Sequence, residues 1–528
     1  MAKNIIICSD GTGNTAIKNR GTNVFKLFEA VDLNGHRTNP DLDAQVALYD
    51  DGVGTQTFLP LKLLGGAFGF GLARNVRNLY KELVRIYDPG DRIYLFGFSR
   101  GAFTARTLAG MIAKCGVLDR EKLPTSVSLQ EAVQKAYKTY RRSYRTRIQK
   151  VTHAVLRKFA LRKSDIHALE DFRKRHSIDY DVRIRFIGVW DTVDAVGGPL
   201  HTSDIINAFF HRFKFPDHEL SGQVDHAYQA VAVDEARAAF QPVLWQTDPR
   251  IEQVWFAGVH SNVGGGYAKQ GMSLVTLEWI LLAAHDHGLR ILQSDREYYR
   301  EHGNVDDKLY DSRAGLGVFY RWKPRDMRTL SHKQKSGWPP TIHLSVLERI
   351  AHGTDGYNPG TLAHTVRVTF TRSNHPDPVR AAEEDTAADG RARAVEAALK
   401  DAFAKRGADL AIVKHTLTLG RLSYYIGALS FIGLVLIMPG ILYRAGRLLV
   451  QNLEAGQWND MFPNAVRLVH APGTLVTLLF ALALSAVIGK YVDGVRSRAF
   501  SQFWHLSRQE LRTALKDAKK RMQAAAGK

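Results

Sequence analysis

The stretch from Arg92 to Ile112, RIYLFGFSRGAFTARTLAGMI, constrains this chain more than any other. Ile93 to Phe96 is a short run of β-branched and aromatic residues, and beyond it Ala102, Ala105, Ala109 and Ile112 recur at the spacing of one helix face. Between strand and helix stands Gly97-Phe98-Ser99-Arg100-Gly101, the G-x-S-x-G pattern of a nucleophile elbow. The pattern has a steric reason: at a turn this sharp, side chains at the two glycine positions would collide with the neighbouring helix and strand. The turn lifts Ser99 to the mouth of a sheet and points the first helix amides at whatever binds there.

The surrounding chain alternates strands and helices as a parallel α/β sheet requires. Residues 4 to 8 read as a core strand opening into the small-residue loop Ser9-Asp10-Gly11-Thr12-Gly13-Asn14-Thr15. That loop is either a second amide source for an anion or a turn capped by Asp10. Ala44 to Tyr49 is a second strand, Gly65 to Gly71 a glycine-rich loop, and Asn75 to Tyr87 an amphipathic helix. The loop lacks the Gly-Lys-Ser/Thr ending of a phosphate-binding P-loop. The sheet resumes at Val182 to Trp190 and ends in Asp191-Thr192-Val193-Asp194. A helical stretch is expected through His226, Asp234, Glu235, Arg237 and Phe240, then a strand from Val254 to Val259 that runs into His260.

A serine, an aspartate and a histidine thus each stand at the carboxyl end of an expected strand, the edge where open α/β sheets build their sites. A serine hydroxyl attacks only once an imidazole takes its proton, and the imidazole needs a carboxylate to hold its tautomer. The expected assignment is Ser99 as nucleophile, His260 as base and then acid, and Asp191 as orienting carboxylate. The oxyanion donors are expected to be the Arg100 amide and amides of Gly11 and Thr12. Asp194 is the alternative acid and His343, ahead of a helix, the alternative base. No Cys/His cluster has zinc spacing and no calcium loop is present, so no metal or cofactor is expected.

Composition enters where partners are concerned. The formal net charge is +20, which suggests an anionic partner. Between Arg120 and Arg175 sixteen basic residues face five acidic ones, with Val133, Ala136, Tyr140 and Tyr144 at helical steps. This reads as a basic helical insert (119–180), either a solvated face or a contact for anionic lipid headgroups. Nucleic-acid binding is not expected, because the basic segments lack interleaved stacking residues beyond scattered tyrosines. Cys8 and Cys115 are the two cysteines, so no disulfide framework forms and a reducing compartment is expected. The apolar run at Asn4 is too short and too early for a secretory signal.

Toward the carboxyl end, residues 371–421 read as a solvated helical linker after Pro376 and Pro378. Leu422 to Tyr443 and Leu468 to Gly489 are each 22 residues without a charge, long enough to cross a hydrocarbon core of about 30 Å. Lys405, Arg406, Lys414 and Arg421 precede the first stretch, and Lys490, Arg496, Arg498 and Arg508 follow the second. The connection holds Arg444, Arg447 and Arg467. That asymmetry places both termini and the α/β domain (1–370) in the cytoplasm, with a two-helix hairpin (422–489) in the membrane. The tail (490–528) is a basic amphipathic helix, interfacial or packing.

Several motifs together carry a family resemblance: Asp10-Gly11-Thr12-Gly13-Asn14, Asp51-Gly52-Val53-Gly54-Thr55, Gly97 to Ala102, Gly188-Val189-Trp190-Asp191-Thr192-Val193 and Gly258 to Tyr267. With Ile342 to Arg349 and Tyr357-Asn358-Pro359, this set resembles the α/β-hydrolase family that contains the catalytic domain of type VI secretion phospholipase effectors, over residues 3 to 365. The resemblance implies hydrolysis of glycerophospholipid acyl esters with Ser99, Asp191 and His260 as the triad. Asn262 departs from it, standing where many relatives have an aspartate. The expected protein is therefore a membrane-anchored serine hydrolase of lipid esters. An esterase or acyltransferase acting on soluble substrates and a non-catalytic membrane adaptor are the alternatives.

Overall fold

The structure, a computed structural model, describes residues 2–11, 21–51, 66–123, 125–142, 171–179, 182–194, 218–314, 320–373, 378–454 and 472–526. The strands are β1 (Asn4–Ser9), β2 (Gln45–Asp50), β3 (Arg92–Phe98), β4 (Val117–Leu118), β5 (Ser177–Asp179), β6 (Ile184–Trp190), β7 (Val224–Ala232), β8 (Ile251–Phe256), β9 (Thr341–His343) and β10 (Arg367–Thr369). The principal helices are α1 (Asn23–Ala30), α2 (Gly66–Ile86), α3 (Arg100–Cys115), α4 (Ser126–Arg142), α5 (His260–Gly264), α6 (Gly271–Asp286), α7 (Leu344–His352), α8 (Pro378–Arg406), α9 (Ala411–Glu454) and α10 (Pro472–Ala526).

Eight strands pair in the order β2-β1-β3-β6-β7-β8-β9-β10, and every pairing is parallel. Strands β4 and β5 form a separate antiparallel pair. Side chains alternate across the large sheet, as the period of two demands. Ile5, Ile7, Ile93 and Leu95 enter one core with α2, α3 and α4, while Ile6, Cys8, Tyr94 and Phe96 enter the other with α1 and α6. Each such side chain taken from water contributes roughly 1.5–3 kcal/mol, so both layers are held by the sheet between them. The chain leaves β1 toward β2 and then crosses back to β3. That reversal opens a crevice at the carboxyl ends of β1 and β3, and Ser99 follows β3 directly.

Two expectations about secondary structure need correction. The segment through His226 is not helical: Val224–Ala232 is a central strand, hydrogen-bonded in parallel to β6 and β8. Residues Ala238–Phe240 beyond it form a single 3-10 turn. Nor is the glycine-rich segment a loop from Gly66 onward, since α2 begins there and continues through Ile86. Glycine costs a helix roughly 1 kcal/mol per residue but does not forbid it. The apolar stripe that follows, with Val76, Tyr80, Leu83 and Val84 buried, sustains the helix.

Of the basic segment, the described part includes α4, whose Leu129, Val133, Ala136 and Tyr140 are buried in the first core. Residues 143–170 lie outside the described residues. The linker is not wholly solvated, because Ala388, Ala392, Val395 and Leu399 bury one face of α8.

The chain divides into two compact units, Met1–Asp401 with Ser507–Lys528, and Ala402–Leu506. Within the second, α9 and α10 carry two candidate membrane spans, Thr418–Ile437 and a segment starting at Thr474. Leu468 to Ala471 lie outside the described residues. Ser423 and Ser485 each donate a hydroxyl to the other's carbonyl at 2.7 Å. At Gly427 a Cβ would stand 2.5 Å from Ser485 Oγ, so the glycine is what lets the two backbones approach.

In the first unit the end of α10 grips α7. Arg508 donates to the Ile350 and Tyr357 carbonyls and to Asn358 Oδ1, at 2.9, 3.1 and 2.9 Å. Arg512 donates to the His352 carbonyl at 2.8 Å. Both satisfy carbonyls that the end of a helix leaves unpaired.

Candidate active site

Ser99 occupies the turn between β3 and α3 with φ 60° and ψ −120°, a conformation that ordinary side chains avoid. The flanking glycines make it possible. A Cβ on Gly97 would lie 2.5 Å from the Gly101 carbonyl oxygen, and one on Gly101 would run into the Ser9 and Asp10 carbonyls. The Ser99 amide is tied to the Trp190 carbonyl at 3.0 Å, which anchors the turn to the end of β6. Asp191, directly after β6, also has positive φ, 41°. Strain of this kind persists where the surrounding structure over-determines it, and it concentrates at functional sites.

His260 begins α5 after Gly258, whose φ is +114°. Its Nδ1 lies 2.6 Å from Asp191 Oδ2 and its Nε2 lies 2.7 Å from Ser99 Oγ. A carboxylate only accepts, so Nδ1 carries the proton and Nε2 is left to accept from the serine hydroxyl. All three side chains are buried, with Asp191 fully so. The imidazole packs against the rings of Phe98 and Phe240, at centroid distances of 4.6 and 4.9 Å.

Burial in this apolar slot lowers the His260 pKa below its ordinary value, against the pull of Asp191 and with help from Arg237. Burial alone would raise the Asp191 carboxyl. The Arg325 charge and the hydrogen bonds from His260 and Arg325 outweigh it and hold the group well below the usual carboxylate range. At neutral pH the site therefore holds a carboxylate, a neutral imidazole and a hydroxyl in one hydrogen-bonded line. That arrangement can move a proton from oxygen to nitrogen.

The remaining expected residues divide. Arg100 supplies the first amide of α3, beside Ser99. The Gly11 amide, expected to be an oxyanion donor, is turned onto Asp10 Oδ1 at 2.6 Å in this structure. Thr12 lies outside the described residues. Asp10 also accepts from Thr22 Oγ1 and Tyr49 Oη, at 2.5 and 2.7 Å, which favours the capping role for this loop. The carboxylate that meets the imidazole is that of Asp191; Asp194 lies three residues further along. His343 does not serve as base to Ser99. Its ring nitrogens meet Ser345 Oγ and Thr371 Oγ1 at 2.8 and 3.0 Å, and its ring stacks on Phe256. Among the described residues no group of three or more His, Cys, Asp or Glu side chains gathers to hold a metal.

The structure brings further residues to the site, among them Arg325, Glu235 and Asp234, to which the sequence assigned no role. Arg325, fully buried, meets both oxygens of Asp191 at 2.6 and 2.8 Å. Glu235 Oε2 accepts the His260 amide at 3.2 Å while Arg237 holds both its oxygens. Asp234 accepts from the Gly258 amide and from Tyr357 Oη at 2.7 and 2.8 Å, so the Tyr357 motif props the turn before His260. Asn262 accepts from the Tyr310 amide and donates to the Lys308 carbonyl at 3.0 Å. An aspartate could not make the second bond.

With this geometry in place, the similarities are specific. Over 267 residues the chain is 30% identical to the uncharacterized protein YEL023C of Saccharomyces cerevisiae, covering 48% of this chain and 34% of that one. Thus it spans about a third of that relative's length. Among solved structures, an uncharacterized protein from Pseudomonas aeruginosa aligns at 18% identity over 57% of this chain and 49% of its own, with a TM-score of 0.31. The Tle1 effector bound to the VgrG spike of the type VI secretion system aligns at 19% identity over 51% of each chain, with a TM-score of 0.28. The family model for the catalytic domain of Tle1-like phospholipase effectors of the type VI secretion system matches residues 3–283, more than half of the chain, and the protein belongs to that family.

Proposed function

We propose that the protein is a serine hydrolase of phospholipid acyl esters, held at the membrane by its two apolar helices. The observation that carries this reading is the unbroken line from Asp191 Oδ2 through His260 to Ser99 Oγ. Family membership supports the choice of a lipid substrate. The exposed apolar side chains of Thr418–Ile437 and of α10 from Thr474 support the membrane location. The asymmetry of basic residues supports a topology with both termini and the sheet-bearing unit on the cytoplasmic side.

In the reaction, Nε2 of His260 takes the hydroxyl proton as Ser99 Oγ attacks the ester carbonyl. The imidazolium returns that proton to the departing lysolipid oxygen, which leaves an acyl-serine. Water, deprotonated by the same nitrogen, then attacks the acyl carbonyl, and the imidazolium returns the proton to Ser99 Oγ as the acyl–oxygen bond breaks and the fatty acid leaves. The negative charge of each tetrahedral intermediate falls to the amides opening α3, Arg100 first, and a donor of this kind is typically worth about 3 kcal/mol. Mass spectrometry of phospholipid bilayers incubated with the protein tests the reading. Wild type is expected to yield fatty acid and lysophospholipid and Ser99→Ala neither; equal turnover by both would overturn it.

A further inference from the structure

We infer that Arg325 is a positioning residue of this centre: its guanidinium locks Asp191 in one orientation and offsets the carboxylate charge that faces His260. The inference rests on the hydrolase reading above. Arg325 lies beyond residue 283, where the family match ends, so the site draws on a part of the chain that the family model does not cover.

The geometry is that of two matched forks. Nη1 meets Asp191 Oδ1 at 2.6 Å and Nη2 meets Oδ2 at 2.8 Å. The same two nitrogens donate to the Ala232 and Phe240 carbonyls, each at 2.6 Å, which fixes the guanidinium plane to the end of β7 and to the 3-10 turn after it. The Ala232 amide and His260 Nδ1 complete the set, at 2.9 and 2.6 Å. Asp191 thus accepts four hydrogen bonds, about as many as its two oxygens can take. No rotation of the carboxylate keeps all four, and the one orientation that does aims Oδ2 at the imidazole.

The second consequence is electrostatic. A buried carboxylate 2.6 Å from an imidazole, with no other cation near, draws a proton onto it. An imidazole already protonated at neutral pH cannot take the proton of Ser99. The charged groups facing His260 come as two balanced pairs, Asp191 with Arg325 and Glu235 with Arg237. Phe98 and Phe240 pack against the ring. Phe240 is held in turn by Arg325 at its carbonyl and by Arg237 over its ring at 3.6 Å. Neutralising Arg325 leaves one negative charge in excess at the imidazole, whereas replacing it by lysine keeps the charge and loses the fork.

The test is the pH dependence of Ser99 labelling by a fluorophosphonate probe, in the full-length protein, with folding followed by thermal unfolding. This readout needs no knowledge of the natural substrate. Arg325→Gln is expected to raise the acid-side midpoint by about one pH unit or more. Arg325→Lys should keep the wild-type midpoint while its plateau rate falls about tenfold or more, since the carboxylate is no longer held. A purely structural ion pair predicts an Arg325→Gln protein with an unmoved midpoint, and that result would overturn the inference. Should Arg325→Gln not fold, Arg325→Lys decides: a lowered plateau at unchanged midpoint supports the inference, and a wild-type plateau refutes it. Failure of the wild type to label at Ser99 would instead remove the hydrolase reading on which this one rests.

Discussion

In the sheet-bearing unit Ile6, Leu95 and Phe96 are wholly buried, and Asp191 and Arg325 go inside as a pair. In the helical unit the pattern is reversed: Leu429 and Phe480 are each 67% exposed, while Ser423 is 4% exposed and bonded across to Ser485. The same apolar side chain is thus a core residue in one place and a surface residue in the other. On the proposed membrane location, the difference is that each unit meets its own solvent. Water drives Leu95 inward, whereas a hydrocarbon surrounding gives Leu429 no reason to hide and gives a serine hydroxyl every reason to find a partner.

The comparison breaks or sharpens under direct perturbation. The largest effect is expected from Asp191→Asn, which keeps shape and loses charge. Ester turnover should fall about 10⁴-fold while flotation with vesicles stays as in wild type, and a drop under tenfold would count against the triad. Next, Leu95→Ala should cost about 2–5 kcal/mol of stability. Leu429→Ala in the same detergent should stay within about 0.5 kcal/mol, and equal losses would mean that Leu429 is a core residue after all. Leu429→Arg should weaken membrane insertion by about 3 kcal/mol, seen as protein shifted to the soluble fraction with its hydrolysis of short soluble esters retained.

Acidity should act through the sheet-bearing unit. Burial pushes the His343 imidazole down to about 3 and lowers that of His260. The unfolded chain therefore binds protons below about pH 6.5 that the folded chain refuses. Stability is fully present above that value and falls with pH, by up to about 1.4 kcal/mol per unit for each histidine. A thermal midpoint unchanged between pH 7 and pH 5 would contradict this. The smallest effect is expected from Ser423→Ala, about 0.6 kcal/mol of helix-pair stability, measurable by steric trapping or denaturation in detergent.

What could be read from residues alone followed from local physics. The β3 turn was legible because its glycines and its serine are adjacent in the chain. The apolar helices were legible because nothing charged interrupts 22 residues. β7 was misread for an equally local reason: Val224, Ala227 and Val231 fall at i, i+3 and i+7, and alanine favours helices. Only its neighbours β6 and β8, which supply hydrogen bonds along both edges, make it a strand. Arg325 left no trace at all. Its partner lies 134 residues earlier, and an arginine bound for the interior is spelled like one bound for the surface. Gly11 illustrates the converse, since its place in a motif suggested a donor but did not reveal that Asp10 takes that proton.

The order in which the two units share the chain has a mechanical outcome. Because Ser507–Lys528 returns to the first unit after Ala402–Leu506 has formed the second, the apolar pair is inserted within the sequence of the first unit and not appended to it. Two covalent strands join the units, one through α8 and the other through the unbroken α10. A protease that nicks either junction leaves the two units joined through the other, and only a double cut separates them.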